Sequence, residues 1–182
     1  MDELGNKKSE QNRPIAEQLE HAIALTEPHE LQELGKVKGR QVFLSDVHWE
    51  SASVGFGEPL RDRFYVNPRE KNAANVLLQV GGEFHKKGLY AHANSSHLFR
   101  LDGRWKLFEC VAGLQAGAIG RVKFRVEADG QVILQTKEVA GSEAERISLN
   151  VAGAKTLKLI AESSSSSAGH CWTIWASPVL RR

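Results

Sequence analysis

No stretch of this chain approaches the ~20 consecutive apolar residues that a membrane-crossing helix requires. The first residues, MDELGNKKSEQNRP, are polar and carry no apolar core of a secretion leader. That pattern fits a cytoplasmic chain or a piece of a longer secreted or anchored protein. Cysteine is scarce, with only Cys110 and Cys171 and no CxxC pair. This excludes a disulfide framework and the usual spacing of a zinc site. The two cysteines read as small apolar core residues, with one disulfide as the alternative. Charge of one sign is scarce too. A net charge of +2 is too small for the concentrated basic face of a nucleic-acid binder. The sequence lacks G-x-S-x-G, a phosphate-binding loop, and a G-x-G-x-x-G that leads from strand to helix. A glycosidase would need two carboxylates flanking the scissile bond, and Asp62 and Glu83 are the only pair to name, with nothing around them to mark that role. The chain reads as non-catalytic.

What is present suits one good-sized domain. The chain has 182 residues, of which 41% are apolar and 25% charged. A chain of that length buries about 70% of the surface its unfolded form exposes. Its character changes near residue 40. Before that point Ile15, Leu19, Ala22 and Ile23 recur at helical spacing after Pro14, and HELQELG (29–35) reads as a second short helix ended by Gly35. Residues 1–40 therefore form a polar, helical arm, and residues 41–182 form the domain.

In the domain the period becomes two. RVKFRVEA (121–128) alternates Val122, Phe124 and Val126 with polar partners; RISLNV (146–151) and KTLKLIAE (155–162) do the same. Asp129-Gly130 lies between two such runs, and Asp102-Gly103 separates HLFRL from RWKLFECVAGL, each a hairpin signal because the turn needs positive φ at both central residues. Gly81-Gly82 follows NVLLQV. About nine short strands at this spacing predict a β-sandwich. Ser163 to Ser167 read as a flexible loop before a last strand, CWTIWASPVL.

Several residues carry chemistry. In KKGLYAHANSSH (86–97), alternation sends Leu89 and Ala91 inward and leaves Tyr90 and His92 on the other face, with Asn94, Ser95 and Ser96 at the strand end. Such planar donor-acceptor groups beside an aromatic plate suit a sugar. They equally suit a turn fixed by Asn94 and Ser95, with His92 in one internal hydrogen bond. The spacing of His85, His92 and His97 fits no zinc pattern. Trp172 and Trp175 face opposite ways on an extended strand, which makes Trp172 the candidate ligand plate and Trp175 the candidate core residue. Trp49 and Trp105 read as core. Asp62, between Arg61 and Arg63, reads either as an ion pair that pins its loop or, with Arg63, as a hydroxyl partner.

Six pieces, in order, resemble the NPCBM family, the carbohydrate-binding modules found beside family 98 glycoside hydrolases. VFLSDVHWESASVGFG is similar to the family's opening strand and LRDR (60–63) to its Arg-Asp-Arg. FHKKGLYAHANS is similar to its Lys-Gly-Leu…His-Ala-Asn-Ser signature. FRVEADGQVIL, VAGAKTLKLIAE and WASPVL resemble its later strands. The resemblance spans Val42 to Leu180. It implies a jelly-roll β-sandwich of the galactose-binding-domain type, recognition of galactose-type glycans, a neighbouring catalytic domain in a longer protein, and a secreted or cell-surface setting. It implies ligand-binding roles for His92, Asn94, Trp172, Arg63, Asp62 and His170, and a structural calcium held by Asp46 and Glu50. Ile174 and Ser177 depart from the family pattern, which has aspartates there, and this weighs against calcium. The competing function is an interaction domain that keeps the sandwich without the sugar site.

Overall fold

Alternating apolar side chains give these segments one face to bury, and facing sheets bury it. The computed structural model describes residues 30–64 and 77–182; the predicted helix around Ile15–Ile23 lies outside them. In chain order the strands are β1 (Gln41–Phe43), β2 (Ser51–Ser53), β3 (Leu60–Arg61), β4 (Leu78–Val80), β5 (Glu83–His85), β6 (Gly88–His92), β7 (Ser95–Arg100), β8 (Leu107–Leu114), β9 (Arg121–Ala128), β10 (Gln131–Gln135), β11 (Val139–Ala140), β12 (Ala144–Asn150), β13 (Thr156–Ser163) and β14 (Trp172–Arg181). There are more than the nine expected because strands of two or three residues are too short to show alternation.

One six-stranded sheet has the order β12-β8-β14-β6-β3, with β1 also on β14. The second has the order β10-β9-β13-β7-β2, with β11 on β9. The named strands pair antiparallel throughout. The sandwich expected from sequence is what forms. Val122, Phe124 and Val126 are each 0% exposed, and burying each contributes roughly 1.5–3 kcal/mol. Phe124 meets Trp175 across the sheets with ring centroids 5.0 Å apart.

The outer face of the first sheet carries a second apolar cluster of Phe64, Leu78, Val80, Tyr90, Ile174 and Ala176. The β4–β5 hairpin lies over that face, its turn made by Gly81 and Gly82 at φ 61° and 80°. It can lie so close because β6 and β8 present glycines to it. A Cβ at Gly88 would sit 2.5 Å from Leu78 Cδ1, and one at Gly113 would sit 2.5 Å from Val80 Cγ1.

Three expectations are corrected. HELQELG is not helical over its described part: Gln32 pairs with Val47 as a parallel bridge, and a 3-10 turn spans Leu34–Lys36. Backbone bonds from Gln32 N to Asp46 O and from His48 N to Gln32 O hold the segment extended, while Leu34 and Val37 pack in the main core. Tertiary contacts override local propensity there. Asp102-Gly103 has the expected left-handed geometry, φ 55° and 69°, yet it makes no hairpin, because β7 and β8 belong to different sheets. Asp129-Gly130 does, joining β9 to β10. Trp49 is half-buried rather than core, with the Arg61 guanidinium 3.1 Å above its ring; Trp105 is 1% exposed, as expected. The serine run is tied to itself: Ser163 Oγ bonds with Ser165 Oγ at 3.1 Å and donates to Ser167 O at 3.1 Å. Cys110 and Cys171 are both buried and unpaired, and burial pushes the Cys110 thiol well above its usual range.

Candidate functional site

Register places the site. β14 runs antiparallel to β6 with Trp172 opposite His92, so the start of one strand and the end of the other share a rim. Loops 54–59, 93–94, 115–120 and 164–171 reach the same rim, since each joins strand ends that lie there. Gly55 N donates to His92 O at 3.0 Å, Ala93 N to Cys171 O at 3.0 Å and Gly120 N to His170 O at 3.3 Å.

The side chains form an aromatic and imidazole cluster. Phe64 lies 5.3 Å from Trp172 and 5.0 Å from Tyr90 between centroids. His170 approaches Trp172 at 5.4 Å from an exposed position with φ 56°. Phe56, 68% exposed, sits 6.0 Å from the His92 ring. His92 Nδ1 lies 2.8 Å from Ala93 O. A carbonyl only accepts, so Nδ1 carries the proton and Nε2 is left as an acceptor. Asn94 Oδ1 accepts from Ser163 N at 2.7 Å, which leaves its amide N–H groups as the donors of that residue. A half-buried indole plate, a fixed imidazole acceptor and an exposed amide donor are groups that hold a neutral, hydroxyl-bearing ring.

Of the predicted ligand residues, the structure brings His92, Asn94, Trp172 and His170 together. Asp62 and Arg63 follow β3 at the opposite end of β6, about 13 Å along that strand from His92. Asp62 is 5% exposed at φ 58°. Its Oδ1 accepts from Gly88 N at 2.9 Å and its Oδ2 from Lys87 Nζ at 3.0 Å. The ion pair that pins this loop is therefore with Lys87 rather than with a neighbouring arginine. Lys87 also reaches Asp46 Oδ1 at 2.5 Å. Burial lowers the Lys87 pKa, and the two carboxylates more than offset it, so the ammonium ends above its ordinary value. Arg63 is exposed.

The residues present do not fit the implied calcium. Asp46 is engaged with Lys87, and Glu50 pairs with Arg100. Among the described residues no three His, Cys, Asp or Glu side chains converge to hold a metal ion. Ser177 takes φ 48° and its hydroxyl bonds His85 Nδ1 at 3.2 Å; Ile174 is 0% exposed. Phe56 and Phe64 were missed by sequence reasoning. Their only signal was proximity to the Gly-rich turn and to LRDR, and nothing local shows that β3 and β14 both flank β6.

Comparison with known proteins agrees with this fold. The profile of the NPCBM/NEW2 domain matches residues 40–181. A Renibacterium salmoninarum protein named as an endo-alpha-N-acetylgalactosaminidase is 28% identical over 148 residues, covering 79% of this chain and 10% of that protein. The chain thus spans about a tenth of that relative's length. The CBM51 of a Clostridium perfringens GH95 protein, solved with methyl-galactose, superposes with a TM-score of 0.65 at 26% identity, over 77% of this chain and 99% of that one. CBM51-2 with INT domains of Clostridium perfringens ZmpB, solved with GlcNAc, gives a TM-score of 0.66 at 23% identity, over 78% of this chain and 31% of that one. This second likeness concerns the fold alone. With the profile match running through every strand of both sheets, the chain belongs to the NPCBM/NEW2 domain family, and its class is that of a carbohydrate-binding module.

Proposed function

We propose that this module is non-catalytic and that it holds a galactose-type or N-acetylhexosamine residue at the Trp172 rim, tethering a larger extracellular protein to glycans. The observation that carries the reading is the convergence of Trp172, His170, His92 and Phe56 where β6 ends and β14 begins. The sugar ring's apolar face packs on the indole. Its hydroxyls donate to His92 Nε2 and accept from the Asn94 amide. None of these side chains is a carboxylate, so the arrangement offers binding without the acid-base pair that glycoside hydrolysis uses. Titrating the labelled chain with methyl-galactoside and N-acetylglucosamine tests this by NMR. Saturable shifts at His92, Asn94, His170 and the Trp172 indole are expected, lost in Trp172→Ala. Silence of all four across a broad glycan panel would instead leave the chain as a packing or interaction domain. One observation favours that second reading: Val132 and Ile133, on edge strand β10, are 55% and 37% exposed, and edges of that kind pair with other proteins.

A further inference from the structure

We propose that a second groove, at the end of the sandwich away from the Trp172 rim, binds a neutral sugar residue independently of the first. β7 leaves that rim at Ser95 and reaches Arg100 about 16 Å further on. There Trp49, Glu50, Arg100 and Asp102 meet the 3-10 turn of Glu33 to Lys36 around an open groove of about 500 Å³. That volume suits one or two sugar rings.

Packing and hydrogen bonds hold the parts of the groove. Arg61 stacks on one face of the Trp49 indole at 3.1 Å, and the buried His97 ring meets its edge at 5.4 Å. The indole is half-buried and contributes its remaining surface to the groove. Leu34 is 5% exposed in the main core, which fixes the turn beside it, and Arg104 donates to the Gly35 carbonyl. Arg100 is held by Glu50. A plate already in place binds without an ordering cost.

The wall chemistry selects the ligand class. Glu33, Glu50 and Asp102 supply acceptors, and Lys36 and Arg100 supply donors. Three carboxylates and two basic side chains line the same opening beside His48, so neither an anion nor a cation meets a wall of one sign. A neutral ring rich in hydroxyls finds donors and acceptors with no net charge to oppose it. The Glu33–Lys36 wall lies outside the residues 40–181 that the family profile matches, while Trp49, Glu50, Arg100 and Asp102 lie within them.

The test uses the full chain with methyl-galactoside and N-acetylglucosamine, followed by NMR on the Trp49 indole N–H and the Arg100, Asp102 and Gly35 amides. A saturable response with its own dissociation constant is expected. Arg100→Ala, an exposed change with little effect on folding, should weaken it at least roughly tenfold and leave His92 and Trp172 unchanged; Trp172→Ala should leave it intact. No response at Trp49 while the rim saturates would overturn the second site and keep the first. A Trp49 response that disappears in Trp172→Ala would overturn it as well. A Trp49 response with a silent rim would support the groove and overturn the rim reading.

Discussion

His97 offers the sharpest physical test of the structure. Its ring sits on β7 at 0% exposure, between Trp49 and the interior, and neither ring nitrogen makes a hydrogen bond among the described residues. Burial first, and then the Arg61 charge, lower its pKa from 6.5 to about 4. Between those values the unfolded chain binds a proton and the native chain does not. Stability therefore rises with pH through this window, and it is lost as pH falls from 6.5 toward 4. The separation corresponds to about 3 kcal/mol. Carboxylates and His85, whose pKa burial also lowers, add their own slopes. The comparison must therefore be with His97→Phe, which keeps a ring of similar size and removes only this proton site. Urea unfolding by tryptophan fluorescence, repeated between about pH 7 and about pH 4, should show the wild type losing about 3 kcal/mol relative to the variant. Parallel curves for the two proteins across that range would refute the argument. So would an NMR titration placing the His97 midpoint near 6.5.

Gly55→Ala should disturb the rim itself, because the added Cβ would lie 2.3 Å from Ala93 O and 2.7 Å from Asn94 N; a loss of ~1–3 kcal/mol in urea unfolding is expected, with shifted His92 and Asn94 resonances. Asp62→Asn keeps the shape and removes the charge facing Lys87, so it should cost ~1–3 kcal/mol and speed hydrogen exchange at the Gly88 amide; an unchanged exchange rate would count against the Asp62–Gly88 bond. Prolonged treatment with a calcium chelator should leave the thermal midpoint unmoved, since Asp46 and Glu50 are already neutralised by Lys87 and Arg100; a fall of several degrees would restore calcium to the structure.

The sandwich was legible because several of its longer strands, β9 and β12 among them, alternate apolar and polar residues at period two. The two-residue β3 and three-residue β2 were not, since so short a segment shows no period. The Asp-Gly turns were right in local geometry at both places, yet only one joins paired strands, because φ and ψ at a turn do not say which sheet the next strand enters. His92 and Trp172, both candidates from sequence, sit opposite each other on adjacent strands far apart in the chain. Asp62 was legible as an ion-pair residue but not in its partner. Lys87 is 25 residues away, and it reaches Asp46, 41 residues away, with the same ammonium. Two neighbouring arginines made a local pair the natural expectation, but the Arg61 guanidinium stacks on Trp49 instead.

Ile174 shows why a carboxylate does not suit this part of the sheet. Where the family resemblance expects an aspartate, this side chain is 0% exposed and packs in the cluster of Phe64, Leu78, Val80 and Tyr90 beneath the β4–β5 hairpin. An ionised carboxylate there would lose its water without gaining a partner, at a cost of several kcal/mol, or would have to bind a proton. Isoleucine removes that conflict and lets the hairpin close down on the sheet. Phe64 of the same cluster lies 5.3 Å from Trp172 between ring centroids. A change that reads in sequence as the loss of a polar ligand is thus, in the folded chain, part of an apolar cluster that also packs against Trp172. On the proposed reading, such a site would discriminate by the apolar face of the ring and by the His92 and Asn94 hydrogen bonds, and would depend little on ionic strength.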